Sequence, residues 1–83
     1  MKLMYFAWIR DCMGCDSEDI VLPEDVKNVG MLLDWLPTKG ERFILASEYI
    51  DIVIVSVNLH YADRDYPVCD EDEVCLAPPI GGG

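Results

Sequence analysis

The sequence predicts an α+β fold in which a mixed sheet curls around one main helix, and three observations carry that reading. The chain has 83 residues, 52% hydrophobic and 27% charged, which is enough for one core that buries about 60% of the unfolded surface and too little for a second. Its hydrophobic period changes in an orderly way between two and about 3.6, which sets a single helix among several strands. The first apolar run is hydrophobic on both alternating sets, as in a central strand covered on both sides or covered on one side by a partner, and the last strand is expected beside it.

Taken in order, Lys2 to Arg10 reads as that central strand, with Leu3, Tyr5, Ala7 and Ile9 on one set and Met4, Phe6 and Trp8 on the other. Asp11 to Asp16 contains Gly14 and reads as a turn. Ser17 to Leu22 then alternates and completes a hairpin. Pro23-Glu24-Asp25 stops that strand, and Asp25 is the predicted N-cap of a helix because its carboxylate accepts free helical N–H groups. Val26, Val29, Leu33 and Leu36 form one apolar stripe on that helix, flanked by Trp35 as a packing residue. Pro37 disfavours helical geometry at Leu36 and Gly40 takes a turn, so the helix ends between them.

Glu41 to Ser47 is assigned a short helical turn, with Phe43 under the sheet. Ile50 to Asn58 is the most β-branched stretch and reads as a strand, its isoleucines facing opposite to Val53, Val55 and Val57. Leu59 to Val68 holds a short edge strand or an irregular connection, and His60 within it is read as a solvated loop histidine rather than a general base. Asp70 to Glu73 reads as a solvated acidic turn, since calcium-loop spacing is missing. Glu73 to Ala77 is the last strand. The order is therefore β, β, α, β, a short β, then β.

Six Lys and Arg against sixteen Asp and Glu give a formal charge of −10. Nucleic acid and anionic membrane surfaces repel such a chain, and a basic protein surface attracts it. The apolar runs fall far short of the roughly 20 residues that cross a bilayer. Lys2 and the seven apolar residues after it outline a signal peptide, but no small-residue cleavage site follows and cleavage would delete a core strand, so the chain is expected in the cytoplasm. There the four cysteines are thiols. Cys75 reads as a small core residue and Cys12-Met13-Gly14-Cys15 as two loop thiols; Cys69 and Cys75, six apart, do not complete a zinc site.

The chemistry is expected at the tail. Residues 1–77 form the domain and residues 78–83, Pro-Pro-Ile-Gly-Gly-Gly, an extended appendage. Two prolines hold the chain extended, and glycines without Cβ pass through a channel too narrow for other residues. The Gly83 carboxylate is thereby presented as a probe. Threading the last four residues costs on the order of 4–8 kcal/mol, at about 1–2 per residue, whereas burying Ile80 returns only about 1.5–3 kcal/mol. An apolar docking face on the sheet near the tail, with an acidic rim that meets basic partner residues, is therefore expected to supply the rest.

Tyr5-Phe6-Ala7, Val57-Asn58, Asp72-Glu73-Val74 and the terminal Pro78-Pro79-Ile80-Gly81-Gly82-Gly83, in this roll order, resemble the small subunits of molybdopterin synthase, the MoaD family, from end to end. The resemblance implies a ubiquitin-like β-grasp sulfur carrier. It implies that a MoeB-like E1 enzyme uses ATP to adenylate the C-terminal glycine, and that sulfur from a donor protein displaces AMP to leave a thiocarboxylate. Two such carriers insert their tails into a dimer of a MoaE-like large subunit, where sulfur passes to cyclic pyranopterin monophosphate and forms a dithiolene. Carried over residue by residue, Gly83 bears the sulfur, Gly82 is its narrow neck, and Pro78, Pro79 and Ile80 are the stalk lying along the partner, with Ala77 and Gly81 beside them. The resemblance further implies that the carrier binds no cofactor of its own and is the non-catalytic, sulfur-donating subunit.

Three positions depart from that family pattern. Ala77 stands where a larger apolar residue is usual, Asp70-Glu71 stands where Asp-Gly is common, and Gly81 replaces a small residue. The other readings are a carrier for a different pathway such as thiamine synthesis (ThiS-like), a ubiquitin-like modifier whose activated end is captured by lysine, a plain interaction module, and a thiol enzyme built on Cys12 and Cys15.

Overall fold

The computed structural model describes residues 1–40 and 53–78. Strand β1 (Lys2–Tyr5) is followed by helix α1 (Ala7–Met13), strand β2 (Ser17–Asp19), helix α2 (Val29–Trp35) with a 3-10 turn at Leu36–Lys39, and strands β3 (Ile54–Val57), β4 (His60–Tyr61) and β5 (Glu73–Ala77). The sheet order is β2-β1-β5-β3-β4. Strands β1 and β5 run parallel at its centre, and every other pairing is antiparallel. This is the mixed β-grasp sheet over one main helix that the sequence led us to expect, with first and last strands adjacent.

Inward residues of the sheet, Leu3, Tyr5, Val55, Val57, Val74 and Leu76, pack against Val29, Leu32, Leu33 and Leu36 of the helix and its 3-10 extension, and all are buried. The expected helical stripe is thus in place, and Val26 joins the core from the loop before it. Trp35 packs against the same cluster, with Lys39 Nζ 4.9 Å from its ring centroid.

The first predicted strand is corrected. It stops at Tyr5, and Ala7 to Met13 is helical. Strand β2 pairs with Lys2, Leu3 and Met4 alone, so the chain beyond Tyr5 has no partner on that side. The Phe6 N–H makes one further bond to Leu76 O at 3.1 Å, after which Ala7 turns the chain at φ 53°. Ile9 and Met13, four apart, then supply the buried face of a short helix. An apolar run without gaps satisfies either period, and sheet pairing decides between them. Gly14 still makes the predicted turn: at φ 77° it ends α1, and its N–H bonds to Arg10 O at 2.9 Å.

The helix start is corrected as well. The N-cap is Asn28, whose Oδ1 accepts the Met31 N–H at 2.8 Å, and not Asp25. The loop before β5 makes this start possible, because Tyr66 O and Arg64 O accept the Val29 and Gly30 N–H groups at 3.0 and 2.8 Å. Two assignments hold for the residues described. Val55 and Val57 face inward with Ile54 on the opposite side, and His60 is an exposed residue of an edge strand. The turn assigned to Glu41 to Ser47, and Ile50 to Ile52, lie outside the described residues.

Candidate partner-binding face and tail

Pairing within the sheet positions the residues from which the tail departs. Strand β5 is held on both sides, with Leu76 opposite Tyr5 and Val55, and Ala77 opposite Ile54. Ala77 and Pro78 therefore leave from the centre of the sheet, not from an edge. Of the residues assigned to the site, Ala77 and Pro78 stand there, partly buried. Pro79, Ile80, Gly81, Gly82 and Gly83 lie outside the described residues.

Beside this exit the outer face of the sheet is apolar. Residues Ser56, Cys75 and Ala77 point away from the core on paired strands, since Ser56 sits opposite Cys75, and Ile54 opposite Ala77. They floor a half-open groove of about 240 Å³ whose other walls are Phe6, Ile54, Leu59, Tyr61 and Pro78. Phe6 is 44% exposed, Leu59 86% and Tyr61 80%. An apolar face near the tail, as expected from the sequence, is therefore present among the described residues. No residue lining it is charged, so the expected acidic rim is absent from the groove itself, and the −10 charge is carried elsewhere on the chain.

Sequence reading did not single out Phe6, Leu59 or Tyr61 as surface residues. The alternating pattern puts Phe6 inside a strand, whereas it follows the end of β1 as the N-cap residue of α1. Leu59 follows Asn58 in a two-residue turn in which both residues have positive φ, 51° and 71°, while Val57 pairs with His60. A hairpin of this kind ordinarily carries glycine at the second position. An apolar, left-handed, exposed Leu59 is the local signal that was available.

The thiols are spread over the fold. Cys75 is buried on the outer face, with its Sγ 3.9 Å from Met4 Sδ. Cys12 lies in the last turn of α1 rather than in a loop, and Cys15 lies just past that helix with Sγ 3.8 Å from Glu18 Oε2, the oxygen that also accepts the Tyr5 hydroxyl at 2.8 Å. Among the described residues no group of three or more His, Cys, Asp or Glu is arranged to hold a metal.

The acidic stretch is the exposed turn expected at Asp70 and Glu71, and two of its carboxylates also make structural bonds. The Leu22 N–H, at 2.7 Å from Asp70 Oδ1, and the Met1 ammonium, at 3.0 Å, hold the Asp70 carboxyl below its usual range against a smaller effect of burial. For Asp72, burial pushes upward, but bonds from Asn58 Nδ2 at 2.9 Å and the Cys69 N–H at 2.8 Å together prevail and hold it low. These bonds fix the turn that feeds β5.

Residues 3–83 match the ThiS family. The chain belongs to that family. The match includes the tail, and the curated relatives agree with the resemblance to MoaD. Over 83 residues the chain is 30% identical to a protein of Escherichia coli (strain K12) named molybdopterin synthase sulfur carrier subunit, covering 100% of this chain and 99% of that one. Among solved structures, a putative molybdopterin converting factor subunit 1 from Pyrococcus furiosus is 27% identical, with a TM-score of 0.69 and 95% of each chain covered. A complex of subunits 1 and 2 of molybdopterin-converting factor from Helicobacter pylori contains a chain 23% identical, with a TM-score of 0.65 and coverage of 99% of this chain and 96% of that one. The last likeness speaks for the fold. No described helix is long and apolar enough to cross a membrane.

Proposed function

We propose that the chain is the sulfur carrier subunit of a molybdopterin synthase acting in the cytoplasm, and that its reactive group is the carboxyl of Gly83. A carboxylate is a poor electrophile, so a MoeB-like activating enzyme first joins it to AMP from ATP and releases pyrophosphate. Sulfide-level sulfur supplied by a donor protein displaces AMP and leaves the thiocarboxylate; its sulfur then bonds to the pterin precursor, and water cleaves the Gly83 acyl–sulfur bond, leaving sulfur on the pterin and restoring the carboxylate. In the assembly two carriers seat their tails in a dimer of MoaE-like large subunits, and the catalytic residues belong to that partner. The carrier contributes a soft nucleophile on a narrow stalk and binds no cofactor.

One observation carries this reading: a family match that runs through the terminal glycines, on a chain whose central strand delivers Ala77 and Pro78 beside an apolar groove. The full-length relationship to a protein named as such a carrier supports the pathway.

The test is an intact-mass measurement after incubation with the activating enzyme, ATP and a sulfur donor. The expected result is a gain equal to the replacement of one oxygen by sulfur, lost when Gly82 and Gly83 are deleted. An unchanged mass refutes the carrier reading. Addition of the large subunit and cyclic pyranopterin monophosphate should then yield a dithiolene product. Transfer of the sulfur only into a thiamine precursor, or capture of the terminus by lysines, would assign the carrier elsewhere.

A further inference from the structure

The groove beside the tail is concave because of three small residues. Ser56, Cys75 and Ala77 form its floor, on two paired strands whose register sets them side by side. Around them stand larger residues, Phe6, Leu59 and Tyr61, all exposed. Such an arrangement leaves a hole where a flat apolar sheet face would be level. Its volume of about 240 Å³ exceeds the ~150 Å³ of an apolar cavity that takes up benzene, so one large aliphatic or aromatic side chain fits.

Ala77 decides the depth of the hole. A larger residue there would point outward, since Val74 and Leu76, the inward positions of the same strand, are the ones buried in the core. It would fill the groove from its own floor without disturbing the interior. Leu59, held at φ 71°, raises the opposite rim at a cost that a left-handed leucine does not otherwise recover in an isolated domain.

We infer that Ala77 and Leu59 make this face a socket for a single projecting apolar side chain of the large subunit, and that this socket sets which large subunit the carrier accepts. The inference rests on the docking described under the proposed function and names the chemistry of the contact. The occupant is an apolar knob on a basic surface. The knob matches the uncharged lining, and the basic surround matches a chain of net charge −10, whose field selects against acidic and self-association partners. A second copy of this chain is disfavoured by the same charge.

The experiment titrates the full chain against the large subunit encoded by the same organism and reads the dissociation constant for wild type, Ala77→Phe and Ala77→Gly. Ala77→Phe should lose about 10- to 100-fold in affinity, equivalent to displacing one buried apolar side chain. Ala77→Gly should stay within about threefold, under half the free energy of a tenfold change. The thermal midpoint of Ala77→Phe, matching wild type, excludes misfolding as the cause. Alanine replacement of apolar surface residues on the large subunit should find one that restores binding to Ala77→Phe. Binding of Ala77→Phe at wild-type affinity or better overturns the socket and leaves the carrier function standing. Failure of wild type itself to bind overturns the docking reading and the socket together.

Discussion

Asn58 and Asp72 hold two turns against each other. The Asn58 carboxamide donates to Asp72 Oδ1 at 2.9 Å, and its oxygen accepts the Glu73 N–H at 3.0 Å. The backbone follows the same path, with the Asn58 N–H bonded to Glu73 O at 2.8 Å. The β3–β4 turn is thereby fastened to the first residue of β5, and the groove rim and the tail-bearing strand keep one spacing. Asn58→Ala removes both side-chain bonds, one of them to a carboxylate, and replaces a residue that tolerates φ 51°. We expect a loss of about 2 kcal/mol, read as a lower urea midpoint at unchanged slope. An unshifted midpoint would show that the two turns are held by backbone pairing alone.

Acid should weaken the fold through Asp70 and Asp72. Both are held below the usual value of 3.8 in the folded state, so the unfolded chain binds protons first as pH falls. Their contribution is complete above that value and disappears as pH drops through the lower folded values. Urea midpoints measured between pH 6 and about 2.5 should fall most steeply below about pH 4. Asp70→Asn and Asp72→Asn should each flatten that fall. If both variants keep the wild-type acid profile, other carboxylates are responsible.

Leu59→Gly separates stability from docking. Glycine adopts a left-handed turn without the Cβ penalty of roughly 1–2 kcal/mol, and Leu59 is 86% exposed, so little packing is lost. The variant should be more stable by about 1 kcal/mol after the entropy of glycine is counted, yet bind the large subunit more weakly. A variant that gains stability and binds as wild type would assign Leu59 no part in docking.

Gly30 lies where α2 meets the loop before β5. A Cβ there would stand 3.2 Å from both Nε and the backbone oxygen of Arg64, and that oxygen already accepts the Gly30 N–H at 2.8 Å. Arg64 cannot withdraw freely, because its guanidinium bonds Asp34 at 3.0 Å. Gly30→Ala gains helix propensity of about 1 kcal/mol but forces the loop away from the helix start. A net loss of about 1 kcal/mol is expected, and a raised thermal midpoint would mean that the loop yields without cost.

Cys12→Ser with Cys15→Ser should load sulfur at the wild-type rate in the mass measurement, since neither thiol lines the groove or the strand that bears the tail. A carrier that fails to load after both replacements would bring the thiol reading back.

Period and composition alone determined a good part of this molecule. The single core, the helical stripe of Val29, Leu33 and Leu36, and the strand Glu73–Ala77 all follow from where apolar residues recur, because burial of apolar surface is the dominant favourable force and depends on pattern more than on detail. The terminal glycines were equally legible, since no other residue is as narrow. Tertiary structure decided what a one-dimensional pattern leaves equal. The run from Leu3 to Ile9 satisfies strand and helix alike, and the three-residue pairing with β2 ended the strand at Tyr5. Asp25 satisfies the cap pattern, but the carbonyls of Arg64 and Tyr66, distant in sequence, made Asn28 the start of the helix. The socket at Ser56, Cys75 and Ala77 exists only through the register of β3 on β5, for neighbours across a sheet are chosen by hydrogen bonding between strands and leave no trace in the order of residues along either one.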